Sequence, residues 1–243
     1  MRIIKLDAID STNTFLKGIS SEGTIEDYTV VVTKKQTNGR GQMGTVWSSE
    51  AFKNLTFSVY KAYANVKIEQ QFYISIVVAL ALVKTLNTLG VNKIKVKWPN
   101  DILSENKKIC GILIENVIKQ ASLPSSIIGV GMNVNQTNFE KLPKASSVKL
   151  ITGKSYDLDE ILHQFLKYLK IYFSLLECHK YNVLKDEYET LLFRKNKPST
   201  FQDAEGYMFS GFIKGVTQSG NLIIELEDEI IKEYALKEVT LLY

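Results

Sequence analysis

Alternating runs and one long continuous run organise the apolar positions of this chain. Ile3–Leu6 predicts a short strand, and Asp10-Ser11-Thr12-Asn13 then supplies helix-capping residues for a brief helix through Ile19. Tyr28–Lys34 is a β-branched run, and Leu55–Tyr60 alternates apolar with small polar residues; both predict strands. From Ile68 to Leu89 nearly every face is apolar, and Gly90 follows as a C-cap, so a buried helix is expected. Its most apolar part, Phe72 to Val83, falls short of the ~20 residues that a bilayer requires. Gln70, Gln71 and Lys84 also argue against a membrane span, and no membrane partner is expected.

Further on, Lys93–Trp98 alternates strictly, with three lysines on one face and Ile94, Val96 and Trp98 on the other. Ile109–Glu115 and Ile127–Val134 predict two more strands, with a loop around Pro124 between them. Helical periodicity returns over Leu158–Leu176 and Tyr181–Leu192. Strands first and helices later, around one central helix, predict an α+β fold rather than strict βαβ alternation. After Arg194-Lys-Asn-Lys-Pro198 come short strand-like pieces at Phe209–Val216, Leu222–Leu226 and Ile231–Ala235, separated by Ser219-Gly220-Asn221 and the acidic Glu227-Asp228-Glu229. Such spacing predicts a small appended barrel, with a boundary near Asn196, so residues 1–195 and 196–243 are read as two domains.

Composition narrows the picture only slightly. With 243 residues, 45% hydrophobic and 23% charged, the chain is of ordinary globular type. Thirty basic residues against 26 acidic ones leave a net charge of +4, which suits anionic ligands but is weak support for nucleic-acid binding. Cys110 and Cys178 are too far apart for a disulfide framework or a zinc site, and Met1-Arg-Ile-Ile-Lys-Leu-Asp7 has no apolar core of a signal peptide. A cytoplasmic protein is expected.

Three constellations carry candidate chemistry. In the first, Gln36–Trp47, Gly39, Gly41 and Gly44 satisfy G-x-G-x-x-G. A dinucleotide fold also needs a helix directly after the glycines and an acidic residue about 20 positions on, and Glu50 comes too early. A P-loop fails because Thr45 stands where its lysine belongs. What remains is a glycine-rich loop with one cation, Arg40, and one large aromatic, Trp47: an anion-enclosing loop or an ordinary surface loop. The second runs Lys97-Trp98-Pro99-Asn100-Asp101, then Lys108-Ile109-Cys110-Gly111 and on to Glu115. Pro99 ends a strand, and Asn100 and Asp101 sit at the strand end, where they can orient a metal ion or a loop. Lys108 either places its ammonium over a pocket or lays its stem on the sheet with a solvated head. Cys110 reads as a small buried apolar residue. The third, Gly129-Val-Gly131-Met-Asn133, puts a side-chain-free stripe on one strand face, suited to a planar ligand or to close helix packing. His163 and His179 lack partners at ligand spacing and read as structural, and there is no nucleophile-elbow motif.

In this order the motifs resemble those of the biotin protein ligases, or biotin–carboxylase ligases. The likeness covers Asp10-Ser-Thr-Asn13, Gly39–Trp47, Lys97–Asp101, Lys108–Glu115 and Gly129–Asn133, most of residues 1–135. It implies a mixed β-sheet packed with helices, like the catalytic domain of class II aminoacyl-tRNA synthetases, with a C-terminal SH3-like barrel. It implies attack of the biotin carboxylate on the α-phosphate of ATP, giving biotinyl-5′-AMP and pyrophosphate, then transfer to a lysine of a biotin carboxyl carrier domain. By the same likeness Lys108 bridges carboxylate and α-phosphate, and Arg40, Gly41 and Gln42 close over biotin and phosphates. Trp47 stacks on adenine, and Ser11, Thr12, Asn13 and Gln36 meet the biotin ring. Gly111 and Gly131 line its slot, Asn133 helps to hold the phosphates, and Asp101 helps to hold Mg²⁺. The likeness begins within ten residues of Met1, so no DNA-binding domain is expected before it; an exposed sheet edge offers a route to a homodimer. Relatives carry more arginines in the glycine loop, where this chain has Gln42, Met43 and Thr45; weaker retention of the adenylate is expected unless lysines from elsewhere substitute. A lipoate–protein ligase is the nearest alternative, and a non-enzymatic nucleic-acid binder using Lys93, Lys95 and Lys97 a more distant one.

Overall fold

The computed structural model describes residues 1–120, 122–140 and 142–243. The first seven strands are β1 (Ile3–Ile9), β2 (Val30–Gln36), β3 (Leu55–Ala62), β4 (Ile94–Lys97), β5 (Asp101–Ser104), β6 (Lys107–Lys119) and β7 (Ser122–Met132). They form one sheet in the order β1-β2-β3-β7-β6-β5-β4. β1 and β2 pair in parallel, and every other neighbouring pair is antiparallel. The α+β expectation is met by this mixed sheet.

Among the described residues five helices accompany it: α1 (Thr12–Glu22), α2 (Gln71–Thr88), α3 (Val148–Thr152), α4 (Leu158–Glu177) and α5 (Tyr181–Thr190). α1 lies against β2, β3 and β7, where Leu16, Val31 and Ile127 form a small apolar cluster. The main core fills the opposite face. Phe57, Val130 and Ile112 share one cross-strand row, and α2 and α4 pack over that face, with the rings of Phe57 and Phe165 5.2 Å apart. α2 is apolar all round because it is sandwiched, with 13 of its 18 residues buried. With the 3₁₀ turn before it, the segment Ile68–Thr88 is 21 residues long with a hydropathy of 1.4, enough by length to cross a bilayer. The length argument made from Phe72–Val83 therefore does not separate a core helix from a membrane span. Burial accounts for the apolar faces instead, since 72% of an apolar 18-residue stretch within the segment is enclosed by the fold. Gly90 ends the helix with φ +78°, the left-handed conformation that glycine takes without strain.

Two sequence expectations need correction, and one element went unread. β5 begins at Asp101 directly after the turn that Pro99 forces, so Asp101 opens a new strand and pairs with Lys97. Pro124 lies inside β7 rather than in a loop; it sits where the β6–β7 register shifts, so no ladder bond needs its missing N–H. The five-residue α3, held by the buried cap Ser147, was invisible to periodicity because it spans little more than one turn.

A second, antiparallel sheet follows, with β8 (Pro198–Asp203), β9 (Met208–Val216), β10 (Leu222–Glu225), β11 (Ile231–Tyr234) and β12 (Val239–Leu242) in the order β11-β10-β9-β8-β12. Trp98 Nε1 donates to Gly220 O at 2.9 Å, and a Cβ on Gly220 would stand 2.4 Å from the Phe72 ring. The β9–β10 turn is thus pressed onto the first sheet and α2.

Candidate functional site

Strand alternation builds the floor of the site. Thr56, Gly131, Gly111, Asp101 and Lys97 are successive partners across five strands and so face the same side. Two residues along, Ser58, Gly129 and Leu113 form the parallel row. The intervening residues Phe57, Val130 and Ile112 enter the core. The glycine–aliphatic alternation at 129–132 therefore means a bare stripe above and packing below.

Lys108 reaches this floor by an irregularity. In a regular strand it would point opposite to Gly111, into the core, because the two are three positions apart, an odd offset. Between Ile102↔Cys110 and Leu103↔Lys108 the pairing skips Ile109, a β-bulge that reverses the alternation. The Lys108 ammonium consequently lies 2.6 Å from Asp101 Oδ1, and a Cβ on Gly111 would stand 3.4 Å from it. Cys110 stays buried, and burial pushes its thiol up, so it is packing and not a nucleophile.

The glycine loop is a closed hairpin. Trp47 N donates to Gly39 O, Gly41 N donates to Thr45 O, and Arg40 and Val46 form a bridge between its arms. A Cβ on Gly39 would meet Trp47 O at 2.3 Å and one on Gly41 would meet Thr45 Oγ1 at 2.4 Å, so both glycines serve close approach of the two arms. The hairpin lays Trp47 across the bare stripe: a Cβ on Gly131 would be 2.2 Å from its Cε2, and Lys108 Nζ lies 5.6 Å from the ring centre. Its buried indole N–H has no hydrogen-bond partner among the described residues. The indole thus covers the same glycines that the resemblance assigns to biotin.

Opposite the hairpin, the start of α1 contributes buried polar groups. Gln36 Oε1 accepts from Thr12 N at 2.9 Å and from Thr12 Oγ1 at 3.2 Å. Ser58 Oγ donates to Asn13 Oδ1 at 2.5 Å and sits 2.7 Å from Thr12 Oγ1. Asn13 Nδ2 donates to Glu115 Oε2 at 2.8 Å, and the same oxygen takes Arg40 at 2.7 Å. A Cβ on Gly129 would strike Asn13 at 2.4 Å, so that glycine admits the helix start. Ser11 caps the helix, its hydroxyl accepting from Thr14 N.

These groups surround a cavity of about 580 Å³, the size of a small-molecule site. Ser11, Thr12, Asn13, Gln36, Arg40, Gly41, Gln42, Trp47, Asp101, Lys108, Gly111, Gly129 and Gly131 all line it. Asn133 does not: its side-chain amide donates to Ser146 O at 3.0 Å and its backbone ties residues 109 and 148, so it holds the chain rather than a phosphate. His163 and His179 also lie away from the cavity lining. Sequence reasoning missed Ser58, although the alternation of Leu55–Tyr60 placed it on the polar face. It gave Glu115 no role, and it had no means to bring in Thr240 and Leu241 of β12 and Lys237 of the turn before it, which close one side of the cavity.

Several known proteins share this chain's sequence or architecture. The biotin protein ligase from Aquifex aeolicus in complex with biotin and ATP has a TM-score of 0.81 at 27% identity, covering 99% of this chain and 98% of that one. The bifunctional ligase/repressor BirA of Escherichia coli is 26% identical over 242 residues, 97% of this chain and 73% of the relative. A biotin–[acetyl-CoA-carboxylase] ligase of Mycobacterium tuberculosis is 30% identical over 163 residues, 66% of this chain and 59% of the relative. The model of the Biotin/lipoate A/B protein ligase family matches residues 6–133, which hold every motif of the cavity floor and its hairpin, and the chain belongs to that family.

Proposed function

We propose that this protein is an ATP-dependent biotin ligase that forms biotinyl-5′-AMP and passes the biotinyl group to a lysine of a biotin carboxyl carrier domain. The observation that carries this reading is the bulge-directed Lys108, held by Asp101 over the bare Gly111–Gly131 floor with Arg40 at the same cavity. In the first step two anions meet, and negative charge gathers on the α-phosphoryl oxygens. A cation already fixed by its neighbours stabilises that charge without reorganising at the moment of reaction. Lys108 is such a cation, and Arg40, anchored on Glu115, is the second.

A carboxylate oxygen of biotin bonds to the α-phosphorus, the bond to the β-phosphate oxygen breaks, and pyrophosphate leaves with that electron pair. In the second step the neutral acceptor amine attacks the mixed anhydride, AMP leaves with the electron pair of the broken bond, and the amine's proton passes to solvent. The polar row Ser11, Thr12, Asn13 and Gln36 suits the ureido head of biotin, with Ser58 holding Thr12 and Asn13 from below, and the apolar Trp47 suits its ring. Magnesium fits the donor chemistry: Asp101 is the carboxylate on the cavity, and Mg²⁺ is commonly held by one or two carboxylates together with substrate phosphates. Asp101 would hold it, and it would neutralise phosphate charge. The cytoplasm supplies ATP and suits two free cysteines.

Incubating the purified chain with ATP, biotin and a carrier domain should add one biotinyl mass to the carrier by intact-mass spectrometry. In the partial reaction, biotin and not lipoate should support ATP–pyrophosphate exchange. Exchange supported by lipoate alone would assign the chain to the other branch of the family.

A further inference from the structure

Asn13 lies across β7 where Gly129 leaves the floor bare. From there it reaches both neighbouring strands. On one side Ser58 Oγ of β3 stands 2.5 Å from its Oδ1; on the other, Leu113 O and Glu115 Oε2 of β6 stand 3.3 Å and 2.8 Å from its Nδ2. A backbone carbonyl and a carboxylate can only accept, so Nδ2 must face β6 and Oδ1 must face Ser58.

Thr12, Asn13 and Ser58 are all buried, so every proton of the group has a definite place. The Ser58 hydroxyl carries one proton, and it goes to Asn13 Oδ1, because a carbonyl oxygen has none to give. Ser58 Oγ also lies 2.7 Å from Thr12 Oγ1. Two hydroxyl oxygens so close attract only with a proton between them, and that proton must come from Thr12. Gln36 Oε1 is the more distant acceptor, 3.2 Å from Thr12 Oγ1, and it already takes Thr12 N at 2.9 Å. The bonds therefore run in one direction, from Thr12 to Ser58, from Ser58 to Asn13 and from Asn13 to Glu115, which also takes Arg40. In a buried chain each bond polarises the next, which holds that direction.

Thr12 lines the cavity, and with its proton turned toward Ser58 its oxygen meets a ligand as an acceptor. We propose that Ser58 is a positioning residue that fixes Thr12 in this acceptor state, so that the site selects a ligand head carrying an N–H donor. A cyclic urea offers such a donor, whereas the disulfide ring of lipoate does not. The identity of the ligand rests on the ligase reading above; the direction of the chain does not. Without the Ser58 hydroxyl, Thr12 can turn to serve a donor or an acceptor alike.

The test compares ATP–pyrophosphate exchange on biotin with exchange on two cyclic carbamate analogues, each with a ring oxygen in place of one ureido N–H. In wild type one of the two should fall roughly a hundredfold or more below biotin in kcat/KM, since two oxygens then face each other without a proton. In Ser58→Ala that ratio should shrink by about tenfold or more, and the KM for biotin should change more than kcat. Ser58→Cys keeps a weak donor and should lie between the two. Thr12→Val keeps the shape but removes the hydroxyl; it should shrink the ratio as well, and Ser58→Ala should add nothing in that background. A ratio unchanged in Ser58→Ala or in Thr12→Val, or a full further loss in the double variant, would overturn the proposal. A second measurement needs no ligand: in heteronuclear NMR spectra of the unliganded protein the Asn13 side-chain amide nitrogen should move upfield in Ser58→Ala. An unmoved resonance would overturn the chain. Absent biotin-dependent exchange, with the Asn13 resonance still responsive to Ser58→Ala, would reject the ligase reading while supporting the chain.

Discussion

Lys108 and Glu115 lie on the same strand and do different work. Lys108 is the fixed cation of the floor, and removing a preorganised charge of this kind costs about 3–4 kcal/mol of transition-state stabilisation. Lys108→Ala should lower biotin-dependent exchange by roughly 10²–10³ while the melting temperature stays close to wild type, since the ammonium is not buried in the core. Near-normal exchange would return Lys108 to a solvated surface lysine. Glu115 is a positioning residue: one of its oxygens holds both Arg40 and Asn13, thereby joining the hairpin to the start of α1. Both charged partners are partly exposed, which weakens their pairing. Glu115→Gln should therefore raise the KM for biotin by about three- to tenfold with a smaller change in kcat. A fall in kcat at constant KM would place Glu115 in the chemistry instead.

Among the elements, α4 is set by local rules. Asp157 caps it by accepting from Asp159 N at 2.7 Å and Glu160 N at 3.0 Å, and Leu162, Phe165, Leu166, Leu169 and Phe173 repeat on one buried face. Its extent was readable from periodicity for that reason. Asp157→Ala should cost about 1 kcal/mol in urea denaturation with an unchanged m-value. The β5–β6 hairpin is the opposite case. β5 has four residues, too few for a periodic signal, and its bulge follows from pairing with a strand already committed to β7. No local feature of Lys107–Gly111 announces that Ile109 is skipped.

At the scale of the molecule, the second sheet is held by polar as well as apolar contacts. Glu189 on α5 accepts from Val216 N at 3.1 Å and pairs with Lys195 at 2.8 Å. Burial alone would push its carboxyl up, but the Lys195 and Val216 hydrogen bonds outweigh it and hold the pKa below the ordinary glutamate range. The folded state thus prefers the ionised form. Its stabilisation is complete above the unfolded pKa, about 4.3, and is lost as the pH falls through the lower folded value. Between about pH 6 and pH 3, wild type should lose urea stability more steeply than Glu189→Gln. Parallel slopes would show that this anchor does not couple to protonation.

The order of motifs from Asp10 to Asn133, the buried central helix, the late helices and the strand-rich tail were all legible in the sequence, because each rests on local periodicity, capping or turn chemistry. So was the bare stripe at Gly129 and Gly131, since alternation alone separates the two faces of a strand. The direction of Lys108, the withdrawal of Asn133 into the scaffold and the indole lying on the glycines were not. Each depends on a register shift or on a contact between segments far apart in the chain, and those are settled only when the strands pair and the second sheet closes over the first.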